Sequence, residues 1–324
     1  MIEQSVSELA SQVRSYINDQ RKKYELRQNS GLFSQLASSL DVIDDTEWAV
    51  AAFESGELGD STGGLYLAIY GLLQAIFMQQ DAVENLCESL GIPEKIKSYP
   101  HLFEIRELRN DSVGHPTKRD ADRKKRRTSY LHISQMTMSR KGFDLISYFS
   151  DSTPTRFQTV DISALIADQR TYIAEILGKV VFQLNAEDKA HKAKFRMEKL
   201  RLIFPNSLDY NLEKVQESIF ETKLAKFGAG NLASINGVIE NFRQAVGKRN
   251  MELANSLQGD YELIEHAVGL MNSFFDSRQG TEASPAEILS ARVWLHFIRT
   301  KIDDLKELAE EVDEDYMNDQ DTDI

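Results

Sequence analysis

The chain is short of the residues that staple or anchor a fold. It has one cysteine, Cys87, in 324 residues, which excludes internal disulfides and any cysteine-based zinc site. Six prolines and 17 glycines are too few for a low-complexity chain. No apolar run reaches the roughly 18 residues that a spanning helix needs. The opening stretch, MIEQSVSELASQ, is polar and amphipathic and lacks the order of a signal peptide. Also missing are a P-loop, a paired-glycine dinucleotide fingerprint and a serine elbow. His101, His132, His191, His266 and His296 are scattered singly, with no Asp or Glu at metal-ligand spacing. These absences predict a cytoplasmic protein with no membrane span, no cofactor and no metal.

What is present is helix-forming sequence with enough apolar residues, 41%, to bury a core. The net charge is −13, and Glu310, Glu311, Asp313, Glu314, Asp315, Asp319, Asp321 and Asp323 supply eight of those charges with no Lys or Arg among them. Removing them leaves −13 + 8 = −5, so the body is only mildly acidic. Residues 311–324 are expected to be a disordered acidic tail.

Apolar periodicity lays out the rest. Ile2, Val6, Leu9, Val13, Ile17 and Tyr24 form one stripe of a long N-terminal helix. Shorter helices are expected at 31–40 and 45–55, with Asp44 or Asp45 capping the second, before the glycine-rich loop SGELGDSTGG at 55–64. Residues 65–78 are apolar almost all round, which marks a buried helix, stopped by Gly91 and Pro93. Segments 128–139 and 142–150 read as a β-hairpin turning at Arg140-Lys141-Gly142, with 157–160 as a third strand. A helical pattern then runs from 161 to 204. At roughly 60 Å it should kink near Gly178 or Asn185, or bridge two halves. Residues 206–310 read as a further helical region with breaks near 227–231, 257–260 and 277–285. Ser284-Pro285-Ala286-Glu287 is a capping box with proline at the first position. The fold class is mainly α, with a small inserted β-hairpin and an additional C-terminal helical region.

One helix end carries chemistry. In LFEIRELRNDSVGHP (102–116), a step of about 100° per residue from Leu102 puts Val113 near 20°, Ile105 near 300° and Leu108 near 240°. Arg109 falls near 340°, inside that apolar arc, while Glu104, Glu107 and Asp111 occupy the opposite side. A charge on a buried face is costly unless it is paired or lines a cavity; an acid on a neighbouring helix could supply the pair. Gly114 and Pro116 stop the helix and leave His115 projecting from its end.

Arg109-Asn110, then four residues, then His115 resembles the signature of the HEPN superfamily: Arg, four to six residues, His, often with a polar residue directly after the Arg. The resemblance covers about residues 60–205 within a HEPN-like helical domain of 1–205, the hairpin of 128–160 being an elaboration. It implies a metal-independent endoribonuclease working as a homodimer. His115 would be the general base on a ribose 2′-hydroxyl, Arg109 the phosphate and transition-state binder, and Asn110 an orienting group. The product would be a 2′,3′-cyclic phosphate. The resemblance also implies a restraining antitoxin or regulatory protein, in a toxin–antitoxin or antiviral defence setting. Inactive members of the superfamily serve as nucleotide-binding or scaffold modules, and that alternative stays open.

The run KRDADRKKRR (118–127) comes directly after the motif. Lys118, Arg119, Arg123 and Lys124 are candidates to track an RNA backbone, against the plainer reading of a solvated linker. Tyr130 and His132 are candidates to stack on bases, against the plainer reading of ordinary strand residues. Gln79 and Gln80 lie about 320° and 60° from Leu65 on the buried helix, where Gln80 could hydrogen-bond Arg109 or Asn110, or simply another helix. Asp81 is expected to face solvent or, failing that, to partner a basic residue.

Overall fold

The computed structural model describes residues 4–122, 127–251, 255–278 and 280–317, with the backbone alone described at 20, 121, 122, 255 and 256. The fold is mainly α, with one small antiparallel sheet inserted between helices. The chain packs as two compact units, Met1–Asn18 with Leu26–Asn185, and Asp19–Glu25 with Ala186–Ile324. Their division lies inside a helix, earlier in the chain than the expected boundary near 205.

The first helix starts arise from side-chain oxygens meeting orphan N–H groups. The Ser5 N–H donates to Glu8 Oε2 at 2.7 Å and the Glu8 N–H to Ser5 Oγ at 3.2 Å, a capping box that opens α1 (Val6–Asn18). The long N-terminal helix expected here is cut at Asp19, whose carboxylate accepts from the Arg21 N–H at 3.1 Å and opens α2 (Gln20–Arg27). Asn29 caps α3 (Ser30–Ser55), which is one helix in place of the expected two. Asp44 is not a cap but an ion-pair partner of Arg14 at 2.7 Å. Ser61 caps α4 (Thr62–Ser89), and α5 comes next (Pro100–Arg109).

The inserted sheet has four strands in the order β1 (Arg119–Asp122), β2 (Arg127–Ile133), β3 (Gly142–Phe149) and β4 (Arg156–Asp161). The expected hairpin is present as β2 and β3, and β4 is the third strand. β1 is an addition to the expected strands, because its residues lie in the basic run that reads as a linker. Leu131, Ile133, Phe143, Leu145 and Val160 cover Ile69, Leu72, Ile105, Leu108 and Leu165 in one core, each buried aliphatic side chain contributing about 1.5–3 kcal/mol. A second core joins α1, α3 and α4 to α6 (Ile162–Phe195).

Gln79 and Gln80 are fully buried and tie the helices together. Gln80 donates to the Leu102 carbonyl at 3.1 Å and to Gln169 at 2.9 Å. Gln169 donates to Gln79 at 2.9 Å, and Gln79 to Glu47 at 2.6 Å. Buried amides require such partners.

The second unit contains α7 (Ser207–Phe220), α8 (Ala225–Lys248), α9 (Asn255–Ser277) and α10 (Pro285–Met317) around one core. α6 stops at Phe195 rather than 204. The N–H groups of Leu200 and Arg201 then bond Asp313 at 2.8 and 3.0 Å. The expected break at 227–231 is helix within α8. A Cβ on Gly228 would lie 2.5 Å from Ser218 Cβ and 2.7 Å from the Phe275 ring, so this glycine serves close packing. The break expected at 257–260 is also helix, within α9. The capping box at Ser284 and Glu287 forms as expected. α10 continues to Met317, so 311–317 are helical and not a tail; 318–324 lie outside the described residues. Among the described residues no helix is long and apolar enough to cross a membrane.

His191 is held against Tyr316 Oη at 2.9 Å. Burial, reinforced by the Arg21 charge, pushes its pKa down from 6.5 to about 4. The unfolded chain therefore binds this proton first as pH falls, and stability present above pH 6.5 declines toward pH 4. Replacing His191 with Gln should flatten urea-unfolding stability over that window, by less than the full shift implies because the ring is only part-buried. An unchanged pH profile would reject this assignment.

Candidate functional site

α4 and α5 run antiparallel past each other. The Leu102 carbonyl meets Gln80, Arg106 meets Asp81 and Arg109 meets Gln74. Moving along α5 toward its end therefore moves back along α4. This register explains why Gln80 is not at the site: it is engaged at the level of Leu102, about two helical turns from Arg109. The amide that reaches Arg109 is Gln74.

Arg109 is half-buried. Its Nε and Nη2 both donate to Gln74 Oε1, at 3.1 and 2.6 Å, and Nη1 donates to Asn110 Oδ1 at 3.1 Å. The guanidinium carbon lies 4.2 Å from the centroid of the Phe77 ring, as does that of Arg106. All three protein partners are neutral. The nearby acids are taken by other arginines: Asp81 by Arg106, and Glu107 and Asp111 by Arg119. Asp81 is thus the partner of a base and not a free solvent-facing acid. A guanidinium has five N–H donors and these bonds use three. Among the described residues, one N–H on each Nη atom has no acceptor. Two such N–H groups suit a phosphate or carboxylate.

The helix does not simply fray after Arg109. Asn110–Gly114 form one wide π turn, in which the His115 N–H reaches back to the Asn110 carbonyl at 2.8 Å. Such turns recur at functional sites. Gly114 sits under the guanidinium, and a Cβ there would lie 2.9 Å from Arg109 Nη1. His115 is exposed, and its ring makes no hydrogen bond or ion pair among the described residues. The next residue joins the sheet, since the Leu131 N–H donates to the Pro116 carbonyl at 2.6 Å. The imidazole is therefore free while its backbone is fixed on both sides.

Of the basic run, Lys118 is exposed. Arg119 is committed to Glu107 and Asp111, and its Nη1 also donates to the Glu107 carbonyl at 3.3 Å. It braces the wide turn from below, which removes it from the substrate-binding candidates. Arg123 and Lys124 lie outside the described residues. Tyr130 pairs with Tyr148 across β2 and β3, and Ile146 with Phe157 across β3 and β4. These side chains share the solvent face of the sheet, where Tyr130, Tyr148 and Phe157 are 42, 45 and 67% exposed. His132 stacks on Tyr148 with centroids 5.6 Å apart.

Gln74 and Phe77 carry no signal in the sequence. By the same step from Leu65 they fall near 180° and 120°, off the buried stripe. Among the described residues no three His, Cys, Asp or Glu side chains gather as a metal-ligand set. Cys87 is buried, and its thiol pKa is pushed up to about 12 by burial, which leaves it without nucleophilic character. No family model, curated protein or solved structure matches the chain.

Gln74→Glu would give Arg109 the carboxylate it lacks. We expect the unfolding midpoint to hold or rise, by no more than about 1 kcal/mol. Inorganic phosphate should protect Arg109 from phenylglyoxal in the parent chain, read by peptide mass spectrometry, and that protection should vanish in the variant. Equal protection in both would show that the free charge is not what binds anions.

Proposed function

We propose that this chain is a HEPN-type endoribonuclease that works as a homodimer. The observation carrying the reading is the pair of unclaimed Arg109 N–H groups beside an unengaged His115 on a fixed backbone. The carboxylates of Asp81, Glu107 and Asp111 pair with Arg106 and Arg119 and leave Arg109 with neutral partners.

The residues support one reaction. His115 takes the proton from a ribose 2′-hydroxyl. The 2′-oxygen attacks the adjacent phosphorus as the bond to the 5′-oxygen breaks. That oxygen leaves with a proton from an acid, for which His115 of the partner subunit is suited. The products are a 2′,3′-cyclic phosphate and a 5′-hydroxyl. Arg109 binds the phosphate through its two free N–H groups and offsets the charge gained in the transition state. Asn110 and Gln74 hold the guanidinium over the Phe77 ring. DNA lacks the attacking hydroxyl and would be inert. A restraining partner, as in toxin–antitoxin or antiviral defence systems, belongs to this reading.

The exposed rings of the sheet supply a second element of it. Pro116 is hydrogen-bonded to β2, so Tyr130 and His132 flank the strand position nearest to His115. Stacking unpaired bases on such rings is worth about 1–3 kcal/mol each. We therefore expect single-stranded RNA to be the preferred substrate.

The test is cleavage of a single-stranded RNA by the purified chain in EDTA. His115→Ala should lower the rate by about 10²–10⁴-fold and Arg109→Ala by about 10²–10³-fold, both without unfolding. Cleavage that survives both changes removes the assignment; RNA binding with no turnover by the parent chain makes it a non-catalytic member. Tyr130→Ala with Phe157→Ala should raise KM for single-stranded RNA by about tenfold or more and leave kcat within a few-fold. A loss confined to kcat would argue against stacking.

A further inference from the structure

The second unit carries a surface that this reaction does not use. Ala291, Leu295, Ile298, Ile302 and Leu305 bury one face of α10. On its outer flank Leu289 and Val293, one helical turn apart, are each 59% exposed. Arg292, His296 and Arg299 lie alongside, and Gln216 of α7 joins them around a cavity of about 350 Å³. By a step of about 100° per residue from Leu289, Val293 lies near 40° and the three basic side chains near 280–340°. The trough thus has an apolar ridge with basic residues along one side, over a length of about 15 Å.

Its charge is out of keeping with the chain. There are 51 acidic and 38 basic residues, yet among the described residues no carboxylate lines this cavity. Elsewhere in this unit basic side chains pair with acids, as Lys306 does with Asp209 and Asp303, and Lys301 with Asp260 and Asp304. Arg292, His296 and Arg299 have no ion pair and no side-chain hydrogen bond among the described residues. An occupant that satisfied this surface would bring carboxylates on one side and apolar side chains at a spacing of three or four residues on the other. An amphipathic helix of about three turns has that spacing and that length.

We propose that the trough between α7 and α10 docks an acidic amphipathic helix of a partner protein. The cations select the partner by charge and hasten encounter, while Leu289 and Val293 provide the apolar contact. This inference does not depend on the chemistry assigned to Arg109 and His115.

The test uses the full chain and two synthetic helical peptides, both with leucine at every third or fourth position, one flanked by Glu and one by Lys. In fluorescence anisotropy the Glu peptide should bind and the Lys peptide should not. Arg292→Glu with Arg299→Glu should weaken the Glu peptide by about tenfold or more, and Val293→Asp should do the same. Arg292 and Val293 are exposed and Arg299 is part-buried without an ion pair among the described residues, so these variants should unfold like the parent, and RNA cleavage should be unaltered in them. Any of these results would overturn the proposal: no binding of the Glu peptide; equal binding by the double variant; equal binding of a Glu-rich peptide with its leucines scrambled off one face; or loss of a self-associated state in the double variant, which would make a second copy the occupant. Displacement by an RNA oligonucleotide of equal charge at lower concentration would identify a general polyanion site and also overturn it.

Discussion

The candidate site depends on one guanidinium held in place by groups that do not neutralise it. Gln74 accepts two hydrogen bonds from Arg109, Asn110 accepts one, and Phe77 offers its ring face. Each contact fixes direction without supplying charge, and the ring adds about 0.5–2 kcal/mol of attraction. The acids that could have cancelled the charge are held elsewhere. Arg106 and Arg119 occupy Asp81, Glu107 and Asp111. The arrangement leaves a positive potential at one point of a half-buried seam, where the effective dielectric is lower than in water and an anion is held more strongly.

The wide turn at Asn110–Gly114 connects that charge to the histidine. A regular α-helix would have continued Val113 along the stripe of Leu102 and Ile105. The extra residue in the turn rotates the chain beyond it, sets Gly114 under the guanidinium and delivers Pro116 to the sheet. Arg119 then returns from β1 to brace Glu107 and Asp111. The inserted strands therefore hold both the position of His115 and the distribution of nearby charge.

The helices of both units are legible in the sequence because burial imposes a period of 3.6 on apolar residues, as in the 65–90 stripe and the Ser284 start of α10. The motif residues are legible because a charged residue inside an apolar arc breaks that period. The failures have identifiable causes. β1 is hidden because Arg119–Asp122 are all polar or small, and one edge strand needs no apolar face. Gly228 reads as a helix stop, yet it allows two neighbouring side chains to approach the α8 backbone. Gln80 reads as a site residue because an angle on one helix says nothing of its axial register against another. Gln74 and Phe77 are invisible for the same reason. Their role is defined only by the antiparallel overlap of α4 and α5, and a single sequence does not contain it.

Burial of a cation is by itself weak grounds for function, and the second unit shows why. Arg249 and Arg278 are 2 and 4% exposed, deeper than Arg109, and neither has a carboxylate partner. Arg278 donates to the Ser218 and Ile219 carbonyls at 3.2 and 2.6 Å and to Thr222 Oγ1 at 2.9 Å, closing the end of α7. Arg249 donates to the Ala245 and Glu198 carbonyls and lies over the Phe195 ring. Each donates to backbone oxygens near the end of a helix, while its Nε is buried without a partner among the described residues. Their charge is sealed from solvent, so no ligand can use it, and the desolvation is offset by structure alone. Arg109 differs in the three respects that matter. Its partners are side chains able to adjust, its two uncommitted donors lie in a half-buried seam whereas the unpartnered Nε of Arg249 and of Arg278 is sealed from solvent, and the residue after its wide turn is an exposed imidazole. Accessibility of an unsatisfied charge, rather than depth of burial, separates the arginine that can act on a phosphate from the two that hold the fold.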